Sequence, residues 1–125
     1  MPTQQHMKTA MQNYIDFFNG DDLEGILSLY AEDAVVEDPA GSEPVRGKAA
    51  IAEFYRKVVN GSTRIRREEP IRGSHENSGA MAVHIETKVE GATVVIHVIE
   101  LMTFNDDGLI TGMKAYWGQT DMETK

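Results

Sequence analysis

The spacing of apolar residues changes period once, at about Ser62, and this limits the chain to a fold that builds helices first and strands afterwards. Before that point Met7, Met11, Tyr14, Ile15 and Phe18 recur along one helix face, with Thr3 as N-cap and Asn19-Gly20 as the stop. Asp21 and Asp22 offer cap oxygens to a second short helix whose stripe is Leu23, Ile26, Leu27 and Tyr30, despite Gly25 in its interior. Ile51, Phe54, Tyr55 and Val58 mark a third helix that closes at Asn60-Gly61. Between the second and third helices, Ala34 to Pro39 reads as a short strand. Proline donates no ladder hydrogen bond, so the strand ends there and Asp38 occupies its end.

Beyond Ser62, the stretches 62 to 69, 80 to 89, 92 to 104 and 109 to 118 alternate or run continuously apolar, as strands do. Glu90-Gly91 and Asn105-Asp106-Asp107-Gly108 have hairpin composition, so an antiparallel meander is expected. Helices followed by strands define the α+β class, and 125 residues form one domain, 1 to 125. A curved sheet wrapped around three helices leaves a conical interior that can hold a small apolar molecule.

Several function classes are excluded. A net charge of −8 repels phosphate backbones and anionic lipid, so neither nucleic acid nor a membrane is expected as a partner. Without cysteine there is no disulfide, thiolate nucleophile or cysteine-ligated metal. The histidines, His6, His75, His84 and His97, stand at no metal-ligand spacing, and no metal is expected; His84 and His97 should face away from the core. No phosphate loop, serine elbow or dinucleotide fingerprint is present, and no cofactor is expected. Met1 to Lys8 lacks a signal-peptide profile and no apolar run approaches membrane length, which gives a cytoplasmic expectation. Val95, Ile99 and Leu101 fall on the sheet face opposite the pocket, a run that favours a homodimer.

The residues able to carry chemistry are few. Asp38 is either a solvated loop aspartate or an inward carboxylate whose burial raises its pKa toward the range of a general base. Glu100 shares strand parity with Val94, Ile96, Val98, Met102 and Phe104. A carboxyl on that face either finds a partner or stays protonated, and a protonated acid can donate to a developing oxyanion. Tyr14, Tyr30 and Tyr55 fall on the apolar stripes of three helices, and their hydroxyls need partners in one interior. Arg64, Arg66 and Arg67 lie on one strand, either as an exposed face or with one turned inward.

With these positions in hand, the chain resembles the Δ5-3-ketosteroid isomerases of the cone-shaped NTF2-like superfamily. The resemblance runs almost end to end and is most specific at Glu37-Asp38-Pro39-Ala40-Gly41-Ser42-Glu43-Pro44, at Ala50-Ile51-Ala52-Glu53-Phe54-Tyr55 and at Met113-Lys114-Ala115-Tyr116-Trp117. It implies three helices on a curved antiparallel or mixed sheet and an apolar 3-oxo-Δ5-steroid as substrate. Asp38 would be the base, Tyr14 and Glu100 the oxyanion donors, Tyr30, Tyr55 and Trp117 supports, and Phe54, Val83 and Ile85 pocket walls. The family is itself the standard instance of a carboxylic acid kept neutral near pH 7, so that expectation is borrowed from it. Where the family commonly has aspartate at the second donor, this chain has Glu100, one methylene longer. Two other readings of the same cone are another NTF2-like enzyme, such as an epoxide hydrolase or cyclase, and a binding module without turnover. A limonene-type epoxide hydrolase would need an Asp-Arg-Asp arrangement.

Overall fold

Each of the first two helices starts where a side chain satisfies a free amide. The computed structural model describes all 125 residues, Met1–Lys125. Helix α1 (Gln4–Asn19) begins at Thr3, whose side chain accepts from the His6 amide. Helix α2 (Leu23–Ser28) begins at Asp22, which accepts from the Gly25 amide at 2.9 Å. Strand β1 (Tyr30–Glu37) follows at once. A two-residue strand β2 (Val45–Arg46) and helix α3 (Lys48–Val58) complete the first half. The second half is β3 (Arg64–Arg67), β4 (Ser78–Val89), β5 (Ala92–Phe104) and β6 (Ile110–Tyr116), then a short 3-10 turn (Gln119–Asp121) and β7 (Met122–Thr124).

The strands form one sheet in the order β2-β1-β6-β5-β4-β3, with β7 pairing β5. The expected meander is present from β3 to β6, and both hairpins fall where the sequence places them. Glu90 and Gly91 have φ of 51° and 84°, the left-handed pair that a two-residue hairpin turn requires. The sheet is nevertheless mixed, because β1 runs parallel to β6. One face carries α1 over β3 and β4 and α3 over β1 and β2. Met11, Ile26, Tyr30, Ile51, Met102 and Phe104 form the fully buried centre between the layers.

Two expectations are corrected here. Tyr30 is not on a helix: α2 stops at Ser28, and Tyr30 opens β1, paired with Ile110. The Leu29 carbonyl accepts from the Ile110 amide at 2.8 Å, so pairing with β6 takes the segment from the helix its spacing suggested. A register irregularity between Tyr30 and Val35 breaks the alternation, which hid the first four residues of the strand. Val95 is not exposed either, retaining 1% of its surface. Its ladder partners are Glu86 on β4 and Glu123 on β7, and Lys125 reaches Glu86 at 2.6 Å. Ile99 and Leu101 remain exposed as expected. No helix is long and apolar enough to cross a membrane.

Gly25 shows why a poor helix former stands inside α2. A Cβ there would lie 2.7 Å from Cγ and Cδ1 of Phe17 and from Asp22 Oδ2. The close approach of α2 to α1 therefore depends on the missing methyl. Helix propensity alone favours alanine by about 1 kcal/mol, but overpacking against a ring costs about 1–3 kcal/mol. Gly25→Ala is expected to lower the urea midpoint rather than raise it, and equilibrium unfolding checks the sign.

Candidate active site

A cavity of about 270 Å³ opens between α1, α3 and the concave face of the sheet. The mixed topology builds its acidic end. Because β1 and β6 are parallel, with Glu37 opposite Lys114, the residues following the two strands emerge side by side. Asp38 follows β1, Trp117 follows β6, and the Trp117 indole N–H donates to Asp38 Oδ1 at 2.9 Å. Glu37 turns the other way, its Oε2 accepting from the Gly41 amide at 2.7 Å. Asp38 is thus partly buried at the cavity wall, not a free loop carboxylate. Burial raises its pKa above the ordinary aspartate value, and the indole hydrogen bond opposes that rise.

Glu100 sits in the middle of β5, opposite Met81 on one side and Ala115 on the other. It is 2% exposed, and its Oε1 is a buried polar atom with no hydrogen-bond partner. An unpaired buried carboxylate is far costlier than an unpaired carboxylic acid. Burial, and then the charge of Asp38, accordingly push Glu100 up to about 8. At neutral pH it is a protonated acid facing an apolar cavity.

The three phenols form a directed chain. Tyr55 donates to Tyr14 at 3.1 Å, and the Tyr30 and Tyr55 hydroxyls lie 2.6 Å apart. A phenol has one proton, so Tyr55 must accept from Tyr30 once it has donated to Tyr14. The Tyr14 proton is then free to point into the cavity, and its oxygen is polarised by the two phenols behind it. Burial raises all three pKa values well above the ordinary phenol value, so each remains a donor at any physiological pH.

Asp38, Tyr14, Glu100, Tyr55, Trp117, Phe54 and Ile85 line this one cavity. Tyr30 stands behind it, buried at the far end of the phenol chain. Val83, expected as a wall, does not line the cavity; it shares the inward parity of Ile85 but lies one pair deeper, fully buried in the core. Strand parity explains two further walls, Ile96 and Val98, which precede Glu100 on its own face of β5. Thr63 and Thr87 also line it, their hydroxyls 2.7 Å apart. Thr87 pairs with Val94, six residues from Glu100, or roughly 20 Å along the strand. The cavity therefore has polar groups at both ends and apolar walls between.

Arg64, Arg66 and Arg67 are all exposed, and no arginine lines the cavity. Arg64 reaches Asp21, and Arg66 reaches His84. His84 and His97 face away from the core, as their parity required. They are separated by thirteen positions in sequence, yet they are direct cross-strand partners. Linear spacing conceals that neighbourhood.

Comparison with known proteins gives the family and the fold. The SnoaL-like domain model matches residues 11–113. The chain is 36% identical over 118 residues to the steroid Delta-isomerase of Nocardioides simplex, covering 93% of each chain. It is also 36% identical to the epoxide hydrolase LasB of Streptomyces lasalocidi, covering 97% of this chain and 44% of that protein. Among solved structures, the epoxide hydrolase/cyclase-like enzyme SalBIII, described in pyran ring formation in the polyether salinomycin, superposes with a TM-score of 0.92 at 26% identity over the whole of both chains. The chain belongs to the SnoaL-like family of NTF2-like domains.

Proposed function

We propose that the protein is a steroid Δ-isomerase that moves the double bond of a 3-oxo-Δ5-steroid into conjugation through a dienolate. The observation that carries this reading is the orphaned Oε1 of a neutral Glu100, which lines the same cavity as Asp38 and as Tyr14, whose proton is left free by the phenol chain. Asp38 takes the proton from the carbon between the carbonyl and the double bond, and the negative charge moves to the carbonyl oxygen. Tyr14 and Glu100 donate to that oxygen, which gives Glu100 the partner it otherwise lacks. Asp38 then returns the proton two carbons further on, so base and donors end as they began. Trp117 fixes the carboxylate that moves the proton. The similarity to a steroid Delta-isomerase over nearly the full length supports the same assignment.

The acid and base pair also supports a second reading. A neutral Glu100 can protonate an epoxide oxygen while Asp38 removes a proton from an attacking hydroxyl, and two of the similar proteins are named for epoxide chemistry. The Asp-Arg-Asp arrangement of a limonene-type hydrolase finds no arginine in this cavity. Here the attacking group would be a hydroxyl of the substrate itself, giving ring closure.

Isomerisation of 5-androstene-3,17-dione, followed by absorbance of the conjugated enone, decides between the two. Asp38→Asn is expected to lower kcat/KM by about 10²–10⁴-fold, and Tyr14→Phe by about 10²–10³-fold. Turnover untouched by Asp38→Asn would sink the mechanism, and ring closure of a hydroxy-epoxide without isomerisation would favour the second reading.

Two titrations bound the activity. The rate should rise with pH as Asp38 ionises and fall above about 8 as Glu100 loses its donor proton. Trp117→Phe removes a hydrogen bond that favours ionised Asp38, so the acidic limb should shift to higher pH. Glu100→Gln, which cannot ionise, should remove the fall near 8.

Stability should carry the same signature. The folded chain keeps the Glu100 proton up to about 8, whereas an unfolded glutamate releases it near 4.5. Folded protein thus binds more protons between those values, and stability falls as pH rises through that window. Relative to Glu100→Gln, urea unfolding should show a loss of up to ~1.4 kcal/mol per pH unit there.

A further inference from the structure

The outer face of the sheet, on the side away from the cavity, carries a second cluster of chemically active groups. His84 on β4 and His97 on β5 are ladder partners, with rings 5.5 Å apart and nearly perpendicular. Glu68 follows β3, where its amide donates to the Ala82 carbonyl, and its Oε2 lies 3.1 Å from His97 Nδ1. One ligand atom from each of Glu68, His84 and His97 falls within 4.8 Å of the others.

The hydrogen bonds around His97 do not balance. Its Nδ1 faces Glu68 at 3.1 Å and its Nε2 faces Glu123 at 3.5 Å. A neutral imidazole has one N–H, so one of the two carboxylates must confront a lone pair. The neighbours of His84 assign the tautomer of its neutral ring. Its Nδ1 lies 3.2 Å from the Arg66 guanidinium, which can only donate, so the proton is on Nε2, toward Glu86 at 3.4 Å. Both rings therefore have a carboxylate positioned at Nε2, the arrangement by which a ligating imidazole is oriented and made more basic. Both Nδ1 atoms are left on the Glu68 and Arg66 side.

The geometry points to a divalent transition-metal site of the zinc type, held by His84, His97 and Glu68, with Glu86 and Glu123 orienting the two rings. Two imidazoles and one carboxylate suit zinc and its neighbours rather than calcium or magnesium, which require a shell of oxygens. Tetrahedral zinc ligands stand ~3.4 Å apart. The ligand atoms, within 4.8 Å of one another, would close to that distance by rotation of side chains on β4, on β5 and at Glu68, the residue after β3. Arg66, exposed on β3, must swing off His84 Nδ1 for the metal to enter. The metal would join β3, β4 and β5 on the face opposite the catalytic groups.

Calorimetric titration of zinc chloride into the untagged, chelator-treated chain tests this. We expect one zinc per chain and a rise of several degrees in melting temperature. His84→Ala and His97→Ala should each abolish both effects, and Glu123→Gln should weaken binding by about 10-fold. Arg66→Ala should tighten it severalfold by removing the competing cation, which no merely structural role of the histidines would produce. Absence of binding at millimolar zinc, one zinc per two chains, or binding that survives His97→Ala would overturn the assignment.

Discussion

The continuous ladder between β4 and β5 is the constraint on which the molecule depends. Twelve residues of each strand pair without a break, from Ser78 opposite Thr103 to Val89 opposite Ala92. Because side chains alternate strictly along it, one register decision fixes both faces at once. Inward, it aligns Ile96, Val98 and Glu100 along the cavity wall; outward, it brings His84 against His97. A slip of one residue would place Glu100 in solvent and His97 in the core. The tight turn at Glu90-Gly91 is what pins that register.

The acidic end of the cavity works by making two carboxyl groups unequal. Asp38 has an indole N–H and partial contact with water, whereas Glu100 has neither a partner on Oε1 nor access to solvent. Both are raised by burial, but the proton settles on Glu100, and its retention is reinforced by the charge on Asp38. Asp38 therefore helps to hold Glu100 in its role as the acid. The phenol chain adds a second donor to the cavity, with a polarity that runs one way, from Tyr30 through Tyr55 to Tyr14.

Much of this was legible in the sequence wherever local rules and the final structure agree. Strand parity placed Glu100 on the apolar face, the caps at Thr3 and Asp22 marked two helix starts, and both hairpin turns carried their own signals. Long-range pairing was the part that local patterns could not carry. The parallel partnership of β1 with β6 takes Tyr30 out of its helix and sets Trp117 beside Asp38. The short β7 pairs beside Val95, although residues 122 to 124 hold a single apolar residue, Met122, too little to announce a strand. The Glu68, His84 and His97 cluster was invisible for the same reason, since its members are scattered over thirty residues and meet only through the ladder. Val83 and Ile85 look alike by alternation, and only the depth of the cavity separates them.

The unpartnered oxygen of Glu100 has a consequence for how such a chain can be improved. A leucine or methionine at position 100 would fill nearly the same space among Met81, Ala115 and Val98 and would need no hydrogen bond. Selection for heat resistance alone would therefore be drawn toward this residue and would be rewarded for erasing it. Natural chains that keep an acid there reveal a selective pressure other than folding, and a library screened only by melting temperature would discard the very residue that pressure maintains.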